Sequence, residues 1–156
     1  MAVPTHIIDN GKYASWVGPN EDLYSFLTPL QVMDGENRYM GVMFQLIRPG
    51  WNGDLSQEEL DHSRENFVQA AGSSEAMTVE VRSGHGESAC LYTVGRLPAD
   101  SRDKSGSPSV EVRRADNTTL IFSDEVFNAE EAADIFYHYY KNDSIPEPYF
   151  LRKTIW

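Results

Sequence analysis

The sequence predicts an α+β domain: an antiparallel β-sheet, built as a meander of hairpins, covered by two long amphipathic helices and followed by an extended aromatic C-terminal tail. Three observations predict it. Two pairs of alternating segments, 77–82 with 89–96 and 109–113 with 118–123, are each joined by turn-forming residues. Two longer segments, 56–71 and 129–142, place apolar residues at helical spacing behind capping residues. Residues 149–156 bring together Tyr149, Phe150, Leu151, Ile155 and Trp156, which as a free tail would form an exposed apolar patch and are therefore expected to dock.

In chain order, Ile7, Ile8, Tyr13, Trp16 and Val17, broken by Asn10-Gly11, read as short strands or an extended lead-in. Residues 21–29 set Leu23, Phe26 and Leu27 at helical spacing, and Pro29 is expected to end that helix because it lacks a donor. Residues 38–48 hold Tyr39, Val42, Phe44, Leu46 and Ile47 before the Pro49-Gly50 break and read as a strand. Over 56–71, Ser56 and Glu59 make a capping box, Leu60, Phe67, Val68 and Ala71 give an inward face, and Gly72 suits the position just past the end. Ser83-Gly84-His85-Gly86 links the first hairpin and Ala115-Asp116-Asn117 the second, and the two are expected to join as a four-stranded meander. In the last helix Asn128 is the cap, Glu131 completes its box, and Ala132, Ile135, Phe136, Tyr139 and Tyr140 share one side.

The 156 residues are the length of one domain, and a 40% hydrophobic content is enough for a packed core. Residues 1–156 are read as a single domain. Cys90 is the one cysteine, so no intrachain disulfide forms. No basic and apolar leader precedes residue 13, and the longest apolar stretch is far short of a membrane span. A cytoplasmic protein is expected. A net charge of −11 works against both a phosphate backbone and an acidic membrane surface, so neither nucleic acid nor membrane is an expected partner.

No residue pattern points to catalysis, to a metal or to a cofactor. His6, His62, His85 and His138 stand in no metal motif, and the i,i+4 pairs Glu58/His62 and Asp134/His138 read as surface charge pairs. Gly84-His85-Gly86-Glu87-Ser88 matches neither a phosphate loop nor a nucleophile elbow. Cys90 alternates in phase with Tyr92 and Val94 and reads as a small packed hydrophobe. Of the aromatics on the last helix, Tyr137 is out of phase with the others and is expected to face outward or to meet the tail.

The negative charge is concentrated. Residues 50–80 carry seven acids against Arg64, and residues 121–150 carry seven against Lys141, so almost all of the net charge lies on the two predicted helices and their flanks. Dipoles and caps account for Glu58, Glu59, Glu130 and Glu131. They do not account for the scarcity of basic residues at i+4, or for the like-charged pair Asp61 and Glu65, which costs helix stability. A field of one sign favours rapid capture of a basic partner.

Two stretches carry a family resemblance. The first runs from Gln69-Ala70-Ala71-Gly72 through Met77-Thr78-Val79-Glu80-Val81-Arg82 to Tyr92-Thr93-Val94-Gly95-Arg96. The second runs from Asp124-Glu125-Val126-Phe127-Asn128-Ala129-Glu130-Glu131-Ala132-Ala133 through Tyr139-Tyr140 and Ile145-Pro146 to Tyr149-Phe150-Leu151-Arg152. Together they resemble small actinobacterial proteins that lie beside secreted polymorphic toxins, and the second stretch also resembles the C-terminal part of a family of polymorphic-toxin immunity proteins. The resemblance spans about half of the chain and rests on patterned hydrophobics. It implies a cytoplasmic antitoxin that plugs a cognate toxin's active site and has no catalytic residues of its own.

The expected function is therefore an immunity protein that binds a basic toxin or effector domain. Asp54, Glu58, Glu59, Asp61, Glu130, Glu131 and Asp134 are the predicted contact set, with Tyr137 and Trp51 as aromatic anchors. The rivals are a secretion-accessory or structural module, a nucleic-acid mimic, and a small enzyme whose site follows no motif. A monomer and a homodimer both fit.

Overall fold

The computed structural model describes residues 6–9, 14–18, 20–35, 43–47, 57–58, 65–84, 86–96, 108–114, 117–147 and 149–154. Strands β1 (His6–Asp9), β2 (Ala14–Val17), β3 (Met43–Ile47), β4 (Phe67–Gly72), β5 (Met77–Ser83), β6 (Cys90–Gly95) and β9 (Phe150–Lys153) form one antiparallel sheet in the order β2-β1-β3-β4-β5-β6-β9. Strands β7 (Val110–Arg114) and β8 (Asn117–Ile121) form a separate two-stranded ribbon. Helices α1 (Leu23–Gln31) and α2 (Ala129–Asn142) pack on each other and on the large sheet. The class is α+β.

Alternation along the central strands sorts the sheet into two faces. Val68 and Ala70 of β4, Val79 and Val81 of β5, and Val94 of β6 join the main core. There they meet Phe26 and Leu30 of α1 and Ala132, Ala133, Ile135 and Phe136 of α2, all fully buried. The α2 positions predicted to face inward do so. Gln69, Thr78, Glu80 and Thr93 alternate with these residues and so face the other way, toward the side where β7 approaches β4.

The two predicted hairpins form, but they do not join. β5 pairs with β6, with Glu80 opposite Thr93, and β7 pairs with β8, with Val112 opposite Thr119. The second neighbour of β6 is β9, which sets Thr93 opposite Arg152, so the four-stranded meander is replaced by a sheet closed at that edge by the C-terminal segment. Residues 150–153 pair with β6 as β9, and the N–H and hydroxyl of Thr154 both donate to the Leu91 carbonyl at 2.9 and 2.8 Å. Ile155 and Trp156 lie outside the described residues.

The helix expected over 56–71 is the main correction. Gln57, Glu58 and Glu65 are helical, whereas Phe67–Gly72 is a central strand hydrogen-bonded to β3 on one side and β5 on the other. The segment Phe67-Val68-Gln69-Ala70-Ala71 fits both a helical face and a strand alternation. Pairing with two neighbours settles it as strand, because tertiary context overrides a weak local preference. Gly72 does not cap a helix. It has φ of 130° at the start of the β4–β5 turn, and a Cβ there would lie 2.5 Å from the Ala76 carbonyl oxygen and 2.8 Å from the Val112 side chain. The strand over 38–48 is described at Met43–Ile47. The two helices are not both long: α1 has nine residues and α2 fourteen. Pro29 lies inside α1, which continues to Gln31 from an Asp22 cap whose side chain accepts from the Tyr24 and Ser25 amides.

One buried ion pair fixes the C-terminal strand. Glu125, in a 3-10 turn (Ser123–Glu125) after β8, has no exposed surface. Its Oε2 accepts from Arg152 Nε at 2.7 Å and its Oε1 from Arg152 Nη2 at 3.0 Å, a two-pronged fork, while the Phe122 amide donates to Oε1 at 2.8 Å. The Arg152 guanidinium also lies 5.3 Å from the Phe122 ring centre. Local sequence shows none of this, because the partners stand 27 residues apart.

Candidate functional site

Of the predicted contact residues that the structure describes, Glu130, Glu131, Asp134 and Tyr137 lie on α2 and Glu58 does not. Asn128 caps the helix as the sequence predicts: its Oδ1 accepts from the Glu131 amide at 2.9 Å, and Glu131 Oε1 accepts from the Asn128 amide at 3.1 Å. The helix start is held to the β4–β5 turn, where Ala129 N–H donates to the Ser74 carbonyl at 2.8 Å. Burial of the Ala132, Ile135, Phe136 and Tyr139 face then turns Glu130 and Asp134, one helical turn apart, outward into solvent. Exposed Glu75 lies in the turn that holds this helix start. Lys141, the basic residue of the last turn, sets its Nζ 5.0 Å from the Tyr137 ring centre.

Glu131 plays a different part from its two neighbours. Besides the cap, its carboxylate meets Arg96 Nη2 at 3.1–3.2 Å, and the same Arg96 group donates to the Val126 carbonyl. The Arg96 guanidinium lies 5.2 Å from the centre of the Phe127 ring, against which Tyr149 packs edge-on at 6.0 Å. Glu131 therefore ties the end of β6 to α2, and the acids left fully outward are Glu130 and Asp134. Arg96 and Tyr149 are members of this cluster that no local spacing in the sequence marks.

Burial raises the Tyr149 pKa above the ordinary 10.0, the Glu131 and Asp134 charges raise it further, and Arg96 opposes them. Because the folded chain holds this proton more tightly than the unfolded one, the stabilisation is fully present below pH 10 and is lost as pH rises through the folded value. Spectrophotometric titration of the wild type against Tyr149→Phe should assign to Tyr149 an ionisation later than that of free tyrosine, and Asp134→Asn should bring it earlier. A Tyr149 ionising like free tyrosine would refute the geometry.

Tyr137 keeps part of its surface exposed and rests its ring on the neighbouring helix. It is half-buried against α1, 6.3 Å from the Phe26 ring and 6.4 Å from Tyr140. Tyr140 links the helices further, its hydroxyl donating to the Gly18 carbonyl and accepting from the Glu21 amide. Glu58 is exposed in a helical segment. Trp51, Asp54, Glu59 and Asp61 lie outside the described residues, as does His62, so these four of the nine predicted contact residues are not placed.

Among the described residues no three His, Cys, Asp or Glu side chains gather to hold a metal ion, and no helix is long and apolar enough to cross a membrane. Comparison with known proteins finds no matching family model, no similar curated protein and no similar solved structure.

Proposed function

We propose that the protein is a cytoplasmic immunity protein that binds and neutralises a basic toxin or effector domain, with the outer face of α2 as its docking surface. The observation that carries this reading is the outward pair Glu130 and Asp134 on a helix whose other face is locked into the core. Rigid placement on a helix keeps two like charges at fixed spacing, which favours electrostatic steering of a cationic partner. Half-buried Tyr137, capped by Lys141, lies beside that face and offers an aromatic contact if the lysine moves toward an acid of the partner.

The partner is sought by capture on the tagged protein at moderate salt and identified by its being basic, stoichiometric and toxic when expressed alone. With it in hand, Glu130→Lys together with Asp134→Lys is expected to slow association by about tenfold or more at low salt and to flatten the salt dependence. Stability should change by less than about 1 kcal/mol, since both side chains are exposed and only the helix dipole opposes the change. An on-rate equal to that of the wild type would reject α2 as the docking surface.

A further inference from the structure

The face of the large sheet turned away from α2 holds a cleft of about 410 Å³, which is within the range of about 300–1,000 Å³ typical of small-ligand sites. Its floor is one register row across three strands: Glu80 of β5, Thr93 of β6 and Arg152 of β9. Thr78 flanks the row, and Thr119 and Ile121 of the β7–β8 ribbon form the opposite wall. The ribbon does not close over the row. It meets the sheet nearer β4, where Val112 packs on Gly72.

The row is polar where a sheet buried under a second layer is ordinarily apolar. Thr78, Glu80 and Thr93 are 2%, 8% and 3% exposed, so three polar side chains are more than nine-tenths buried at the cleft floor. Glu80 receives one hydrogen bond, from Gln69 Nε2 to its Oε1 at 3.2 Å, although a carboxylate accepts several. At the other end of the row, Arg152 gives Nε and Nη2 to Glu125, which leaves Nη1 for a further acceptor. A carboxylate and a guanidinium thus stand two strand spacings apart, about 10 Å between backbones, with a threonine hydroxyl between them.

Charge narrows the ligand. Glu80 and Arg152 are the charged lining residues that strand alternation turns toward the cleft, and their charges are opposite, so a ligand without net charge suits the site. The opposite signs at the two ends of the row then orient a dipolar molecule. We propose that this cleft binds a free α-amino acid, its ammonium group on Glu80 and its carboxylate on Arg152. Thr78, Thr93 and Thr119 contact the polar atoms between, and Ile121 meets the side chain. This site stands on the opposite side of the sheet from the acidic face of α2 and does not depend on the immunity reading.

Calorimetric titration of the full chain with each of the twenty L-α-amino acids tests it. At least one should bind saturably with a Kd of about 1 mM or tighter. Its N-acetyl derivative, which lacks the cationic nitrogen, should not bind. Glu80→Gln, which keeps the shape and the Gln69 contact, should weaken binding by about tenfold or more, the scale of a lost charge-assisted hydrogen bond. Binding by none of the twenty, or equal binding by Glu80→Gln, would overturn the proposal. Should that variant fail to fold, amide shift mapping on the wild type decides: shifts centred on Thr78, Glu80 and Thr93 support the site, and shifts elsewhere reject it.

Discussion

Replacing Arg152 by alanine is expected to lower the unfolding free energy by about 3–5 kcal/mol, the range for removing one partner of a buried ion pair. The magnitude follows from what is left behind. Glu125 has no exposed surface, so its carboxyl cannot recover water when the guanidinium goes, and the Phe122 amide replaces only part of what the fork supplied. The change also removes the guanidinium from the Phe122 ring and loosens β9, which its ladder to β6 also holds. Denaturant unfolding of wild type, Arg152→Ala and the double variant Arg152→Met with Glu125→Met measures it. The double variant should recover much of the loss, because two apolar side chains leave no buried charge alone. A single variant within about 1 kcal/mol of wild type would mean that the pair is not formed.

The sequence reads well where one helix or one hairpin decides the outcome. For α2, the cap Asn128, the box residue Glu131 and the apolar side through Ala132, Ile135, Phe136 and Tyr139 all agree, so local and tertiary requirements coincide. The β5–β6 and β7–β8 hairpins were equally legible from turn residues between alternating runs. What failed are choices made at long range. Phe67–Gly72 carries a pattern open to either secondary structure, and its pairing with β3 and β5 selected the strand. Whether β6 takes β7 or β9 as its neighbour depends on partners more than fifty residues apart, with the Glu125–Arg152 fork holding the second arrangement. Helix α1 running past Pro29 is a smaller case: burial of Leu30 offsets a missing donor.

The candidate surface was legible to a lesser degree. Periodicity alone put Glu130 and Asp134 on the outside of α2. It could not show that Glu131 is held by Arg96, because that pairing is made by the end of β6 arriving beside the helix start. Tyr137 was known to be out of phase with the core aromatics. That it packs on Phe26 reflects the placement of α1 against α2, which no spacing within α2 encodes. The polar row Glu80, Thr93 and Arg152 was invisible for the same reason, being one residue from each of three strands.

Phe136→Ala tests whether α2 is as firmly seated as the docking role proposed for it requires, and it should cost about 3–5 kcal/mol. Phe136 is completely buried in the layer where α2 meets the sheet, in one cluster with Val79, Val94 and Ile135. Truncation removes the ring's transfer free energy and leaves a cavity that β-strands on one side and a capped helix on the other cannot collapse to fill. Phe136→Leu keeps most of the volume and should lose much less, roughly 1–1.5 kcal/mol. The ordering matters more than either value. If alanine and leucine cost the same, the ring is not enclosed, α2 is loosely held, and Glu130 and Asp134 lose the fixed spacing on which the steering role proposed for them depends. If alanine costs several times more than leucine, the outer face of α2 is presented by a rigid support. The on-rate effect of the Glu130 and Asp134 reversals can then be assigned to charge rather than to disorder of the helix.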